Sequence, residues 1–561
     1  MSDFRTCIIR DSRLNDISTQ IVYGVHKGAA SNTFQSFNAT STSDSMISCA
    51  VQVPSENLIV DRNVLVDTDI NFTLSVTNVT ATQKCIEYGV TEALQAFPFN
   101  SLINTSTATI NDTSVTCSVQ DIMPVLLRLN NTRDLYKYNG MTPSLPDQGF
   151  KRFSDMAASP SNPLADFANS SYDINLMPRG AHPVSMVVKR FANGNATATP
   201  TDASLVSAHV GDRWEIDFTV HVTEPLLGLS PFIFGNPKYN NQGLVGINGL
   251  SFVFNIDTSC KRLFSSAATD TRVFSLKLGT SPFPKFRMLF NFLSAQPSDM
   301  INPKNIVPYV SYNRYNSSQT TNGPLEATKE DTVISQTVQW SQIPDAIIIV
   351  ARKPLNQQTC KDSSSFLAIK NVNIQFNNVS GIYSSATQQD LWRTSVDNGS
   401  TQNWYEFSGK ANRNGANVST VGSILMLNPA KDLALPDYLS SGSIGQFTFQ
   451  ANVRVENTDN VTLTPELCII AVNSGYFATM SGQSSIKTGL LTKEMVVKAT
   501  MDEDDAESSG VVKDLVGGWS GNADMRRKMK ALKNVQHSVG GAKSGGAYSG
   551  GGHIHSLSDV C

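Results

Sequence analysis

From about residue 17 to residue 500 the chain alternates apolar with polar residues, and a period of two is the repeat of an extended strand rather than a helix. The pattern is clearest in Ile70 to Val79 (INFTLSVTNV), Trp214 to Val222 (WEIDFTVHV), Leu367 to Phe376 (LAIKNVNIQF) and Phe447 to Val455 (FTFQANVRV). Each segment buries one face and leaves the other to water. Turn pairs punctuate them, among them Asn139-Gly140, Asn193-Gly194, Ser281-Pro282, Asn322-Gly323 and Asn398-Gly399. Strands between turns with few helices describe an all-β chain of sandwiches or jelly rolls. At 561 residues, two large β-domains fit the length.

Charged residues are only 16% of the chain, so Ser, Thr, Asn and Gln carry the surface polarity and coiled coils or charged bundles are disfavoured. A formal charge of −3 supplies no general attraction to nucleic acid or to an acidic membrane. The N-terminal MSDFRTCIIRDSRLND lacks an apolar h-region, and the most apolar run, Ala346 to Ala351, is too short to span a bilayer. Synthesis as a soluble intracellular chain is the expectation. Eight dispersed cysteines without a CxxC pair read as free thiols, and the thirteen Asn-x-Ser/Thr triplets as a by-product of composition.

Two short helices interrupt the strands, at Val119 to Leu129 and Thr387 to Val396. Each follows a strand and an Asn-containing turn, and each opens with Gln-Asp-apolar: Gln120-Asp121-Ile122 and Gln389-Asp390-Leu391. An acidic residue in the first turn suits the helix dipole. Further on, Trp214, Ile216, Phe218, Val220 and Val222 repeat the phase of Phe447, Phe449, Ala451, Val453 and Val455, so the chain reads as duplicated. Asp121 precedes Trp214 by 93 positions and Asp390 precedes Phe447 by 57, which leaves 36 extra residues in the first half, assigned to a loop over about 138–182.

Several segments resemble the major capsid proteins of virophages and polinton-like viruses: Ala96 to Asp112 (AFPFNSLINTSTATIND), NGMTPSLPD from Asn139, Asn162 to Phe167 (NPLADF) and Leu176 to Val188 (LMPRGAHPVSMVV). In the second half Val372 to Ile382, Trp404 to Gly409 (WYEFSG) and Thr464 to Val472 (TPELCIIAV) do the same, in order. The resemblance implies two tandem eight-stranded jelly rolls, a double jelly roll, to which the residues themselves add a few short helices and a flexible C-terminal tail. The expected division is an arm at 1–16, a first roll at 17–240 with the insertion at 138–182, a second roll at 241–500 and a tail at 501–561. It further implies a structural protein of the virion, made in the host cytoplasm or a virus factory, that self-assembles as pseudo-hexagonal homotrimers into an icosahedral shell. Implied partners are neighbouring trimers, a pentameric vertex (penton) protein and other minor capsid proteins. The insertion would be a tower or an intersubunit clamp.

Composition changes at Met501, first to an acidic run and then to a basic, Gly-rich end. Arg526, Arg527, Lys528, Lys530 and Lys533 lie beside Met525, Met529 and Leu532, which share one face of a short helix. This piece is a candidate contact with genome DNA, an internal membrane or the trimer underside. Leu515, Gly517, Gly518 and Trp519 resemble the recognition pattern of adenovirus-type cysteine proteases, which implies a viral cysteine protease as partner and removal of residues 519–561. Two glycines let an extended strand lie flat in a narrow groove.

The chain contains no GxxxxGK[ST], no HExxH and no GxSxG. His553 and His555 are too few ligands for a metal centre, and the reading names no catalytic residue, no metal site and no cofactor. A non-enzymatic coat protein leads; a β-sandwich adhesin or lectin-like surface glycoprotein is the alternative, and a β-sandwich glycoside hydrolase comes third.

Overall fold

Alternation of this kind needs a partner sheet for every buried face, and among the described residues the chain supplies four large sheets in two matched pairs. The computed structural model describes, with short gaps, residues 31–146, 182–196, 212–234, 243–294 and 304–492, together with the strand pair Ile9–Arg10 and Val22–Tyr23. The first roll has eight principal strands: β1 (Ser31–Asn38), β2 (Met46–Val51), β3 (Leu65–Thr77), β4 (Ile103–Ile110), β5 (Thr113–Cys117), β6 (Arg213–Pro225), β7 (Leu250–Ile256) and β8 (Arg287–Ser294). They pair in the orders β1-β8-β3-β6 and β2-β7-β4-β5. The second roll repeats them as β9 (Lys304–Ser317), β10 (Glu330–Ile334), β11 (Ala346–Arg352), β12 (Ala368–Phe376), β13 (Val379–Ile382), β14 (Leu425–Leu427), β15 (Ser443–Glu456) and β16 (Glu466–Met480). Their orders, β9-β16-β11-β14 and β10-β15-β12-β13, are the same eight positions over again. This is the strand order of the jelly roll, twice.

Among the described residues six α-helices sit in the connections: α1 (Pro98–Leu102), α2 (Val119–Leu129), α3 (Thr132–Tyr136), α4 (Gln388–Asp397), α5 (Trp404–Ser408) and α6 (Pro429–Asp432). α2 and α4 are counterparts, because each follows the fifth strand of its roll, as the shared Gln-Asp-apolar opening suggests. The turns before those strands match too, with Asn111 and Asn377 both left-handed (φ 53° and 50°), a conformation asparagine tolerates.

Two expectations need correction. Leu250–Ile256 pairs with Met46–Val51 and Ile103–Ile110, and Arg287–Ser294 pairs with Ser31–Asn38, so the first roll runs past 240 and the division falls between Ser294 and Lys304. The Gly/Asn-rich stretch before residue 250 is the β6–β7 connection, not a linker. The Trp214 and Phe447 strands are not counterparts either: the first is the sixth strand of its roll and the second the seventh of the other. Both are inner strands with one buried face, so alternation alone makes them look alike. The extra length of the first roll therefore lies between β5 and β6. That stretch adds Ser185–Ala192, which pairs with β6 and widens the sheet. Ile9–Arg10 pairs with Val22–Tyr23 across the expected 16/17 boundary.

Each sandwich closes on aromatic layers. Phe72 and Phe218 stack across β3 and β6 with centroids 4.8 Å apart, and Trp340 stacks on Phe449 at 4.7 Å in the second roll. Such pairs contribute about 0.5–1.5 kcal/mol beyond the area they bury. The sheet of β11 and β16 is covered on both sides. Ile347, Ile349, Leu467, Ile469 and Ala471 fill the second roll's own core. The intervening Ile348, Val350, Cys468, Ile470 and Val472 join the core of the first roll. Burial on both faces is why AIIIVA and LCIIAV abandon the alternation.

Candidate functional site at the junction of the two rolls

α2 is apolar on almost every side, with Val119, Ile122, Met123, Pro124, Val125, Leu126, Leu127 and Leu129 all buried. A helix of that kind has to sit inside protein. It lies between the rolls, and it carries one buried acid, Asp121. The counterpart Asp390 does what its position promises: its carboxylate accepts from the Thr387 backbone N–H at 3.0 Å, and the Thr387 hydroxyl accepts from the Asp390 N–H, closing a capping box. Asp121 has no such role, since Ser118 makes no side-chain cap. Its carboxylate crosses to the second roll, accepting from Arg352 Nη2 and pairing with Arg314 Nε at 2.9 Å.

The ion pairs extend further. Arg352, itself buried at the end of β11, also reaches Glu466 at 3.7 Å. Arg262 lies close by, and burial together with the Arg352 guanidinium brings it down to about 10. Burial pushes the thiols of Cys117 and Cys468 up to about 12, so both stay neutral and unreactive beside these charges. All six described cysteines are buried. A buried pair of this kind adds little net stability over an apolar replacement, but an unmatched charge there is costly, so it discriminates strongly against any other docking of the rolls.

The opposite end is pinned by hydrogen bonds without an ion pair between the rolls. Asp112 accepts from the Ser484 N–H at 2.8 Å and its hydroxyl at 2.9 Å, and the Thr113 hydroxyl donates to the Ser484 carbonyl at 2.8 Å. Asn305 Nδ2 donates to the Gly243 carbonyl at 2.7 Å and the Val310 N–H to the Ser230 hydroxyl at 3.0 Å. With Arg352 at one end and Ser484 at the other, the fifth strand and α2 of the first roll lie along the outer face of the β9-β16-β11 sheet, and the two rolls point the same way.

Among the described residues, the β5–β6 insertion begins as an anchored segment. Phe97 N–H donates to the Pro143 carbonyl at 2.7 Å, Thr223 N–H to the Met141 carbonyl at 3.0 Å, and the Thr142 hydroxyl to Glu224 Oε1 at 3.0 Å. The rest of the expected loop, 147–181, lies outside the described residues, as do the protease motif Leu515, Gly517, Gly518 and Trp519 and the basic Arg526, Arg527, Lys528, Lys530 and Lys533. Sequence reasoning missed the charge lock. Its one signal was Arg352, a cation placed directly after an uninterrupted apolar strand.

Residues 2–293 match the family described as the Sputnik virophage major capsid protein first domain, and residues 312–475 match the major capsid protein V20 C-terminal domain. The chain belongs to the virophage major capsid protein family. The two matches divide where the strand pairing divides the rolls. The chain is 27% identical over 514 residues to the putative capsid protein V20 of Sputnik virophage, covering 88% of this chain and 81% of that one. It superposes on a chain of the Sputnik virophage structure with a TM-score of 0.70 at 25% identity, covering 89% of this chain and 97% of the other. The mavirus major capsid protein shares the fold, with a TM-score of 0.63 at 15% identity over 87% of this chain and 95% of that one. This virophage-type major capsid protein is a structural component of the virion, not an enzyme.

Proposed function

We propose that three copies of this capsid protein close into a homotrimer with a pseudo-hexagonal outline, and that such trimers tile an icosahedral shell. The supporting observation is the junction: two rolls of one strand order, locked side by side in the same sense, make each chain two-sixths of a ring. A cyclic trimer uses heterologous contacts, so the differing loops of the two rolls meet different neighbours. Fivefold corners call for a penton protein, with other minor capsid proteins as further partners. Synthesis takes place in the host cytoplasm or a virus factory.

The tail belongs to the same reading. Cleavage after Gly518 by a viral cysteine protease removes residues 519–561, and before that step Arg526, Arg527, Lys528, Lys530 and Lys533 touch genome DNA or an internal membrane from the inner side of the shell. Sedimentation velocity on the purified full chain tests the assembly: a trimer at micromolar concentration is expected, and a stable monomer up to the highest soluble concentration contradicts it. Intact-mass measurement on particles tests the cleavage in the same sample, where a full-length chain rejects it.

A further inference from the structure

α2 and α4 occupy the same place in the two rolls, and aligning Asp121 with Asp390 aligns the two helices residue by residue. The inward positions agree: Ile122 and Leu391 are both buried, and so are Leu126 and Ser395. The outward stripe does not. In α2 it is Asp121, Pro124 and Leu127, at i, i+3 and i+6, all buried, with Asp121 paired to Arg314 and Arg352 of the second roll. In α4 the same positions are Asp390, Arg393 and Val396, all exposed, with Leu127 at 6% exposure where Val396 stands at 40%. α5, which meets α4 through the Trp392–Trp404 ring pair at 5.8 Å, adds Tyr405, 61% exposed. One half of the duplicated contact is therefore made inside the chain, and the equivalent half is left open.

We propose that the α4 stripe of Asp390, Arg393 and Val396, with Tyr405, docks on a second copy of this chain, against the outer face of that copy's β1-β8-β3-β6 sheet. The choice of partner follows from the internal junction, where α2 seats on the outer face of the equivalent β9-β16-β11 sheet. The proposed receiving face carries charges of both signs near its middle. Asp67 pairs with Arg287 at 2.5 Å and Asp69 with Lys285 at 2.8 Å, while Lys285 and Arg287 keep much of their surface in water. Phe34 on the unpaired edge of β1 lies on the same face and is 61% exposed. Arg393 and Asp390 have acids and bases to meet there, and Val396 and Tyr405 an apolar neighbour. A sheet edge with neither charge nor proline, as in Ser31–Asn38, is also one that a subunit contact would cover.

This proposal rests on the homotrimer reading, and one experiment separates the two. Full-length wild type, the double variant Arg393→Asp with Val396→Asp, and the control Val461→Asp are compared by sedimentation velocity over a concentration series, with circular dichroism to establish that each is folded. Val461 is exposed and belongs to the β15–β16 connection, outside α4 and α5. The expected result is that the double variant remains folded and needs at least about tenfold higher concentration to form trimers, while Val461→Asp behaves as wild type. Trimers of unchanged stability in the double variant, or equal loss in the control, overturn the docking surface and leave the trimer standing. A wild type that never leaves the monomer overturns both. Hydrogen exchange supplies an independent reading: residues 391–398 must exchange more slowly in the wild-type trimer than in the dissociated variant.

Discussion

Glu224 sits at the end of β6 with its carboxylate fully enclosed and held by four neutral donors: the N–H groups of Phe99 and Asn100, Asn100 Nδ2 and the Thr142 hydroxyl. Removal from water disfavours its ionised form more than these bonds restore it, and its pKa rises from 4.5 to about 7. A carboxyl whose folded pKa is raised holds its proton more tightly folded than unfolded. Its contribution to stability is therefore complete below pH 4.5 and fades as the pH climbs through about 7, by about 3 kcal/mol in all. Glu224→Gln removes that titration. Urea denaturation from pH 4 to pH 8 should give a wild-type curve that falls relative to the variant across this window; parallel curves would contradict the assignment. From sequence Asp121 stands out only as a first-turn acid, and Glu224 was missed. Glu224 continues the inward phase of Trp214 to Val222 and breaks its apolar run only at the strand's end, and α1 together with the segment carrying Thr142 encloses the acid.

At the scale of elements, α2 and α4 show what pattern reading reaches and what it does not. Both helices were legible from their period and their Gln-Asp openings, α2 with its observed ends and α4 within a residue. The roles of the two aspartates diverged because the N-cap before one is Thr387, which bonds back, whereas Ser118 makes no side-chain capping bond and the Asp121 carboxylate crosses the junction. The lock between α2 and the second roll makes an unequal prediction. Asp121→Asn leaves Arg352 buried with too little negative charge and should cost about 3–5 kcal/mol. Arg314→Met, whose side chain is partly exposed and whose loss leaves Asp121 still paired with Arg352, should cost less than about 1 kcal/mol. Equilibrium unfolding of the two variants checks the ordering, and equal losses would mean that the junction is not held by Asp121.

For the whole molecule, alternation and turn spacing were enough for an all-β chain, and the ordered resemblance supplied the double jelly roll. Domain boundaries were not legible, because the β6–β7 connection reads like a linker while packing against the second roll through Ser230 and Gly243. The two-faced burial of β11 and β16 was visible as apolar runs, yet one sequence does not say which neighbour covers the second face. In the proposed assembly each chain contributes two like-oriented rolls to a threefold ring. Electron micrographs of the purified protein test it most directly: averaged end-on views should have three copies and six lobes of similar size at nearly equal angles, whereas three-lobed averages, or two lobes per particle at every concentration, would contradict it.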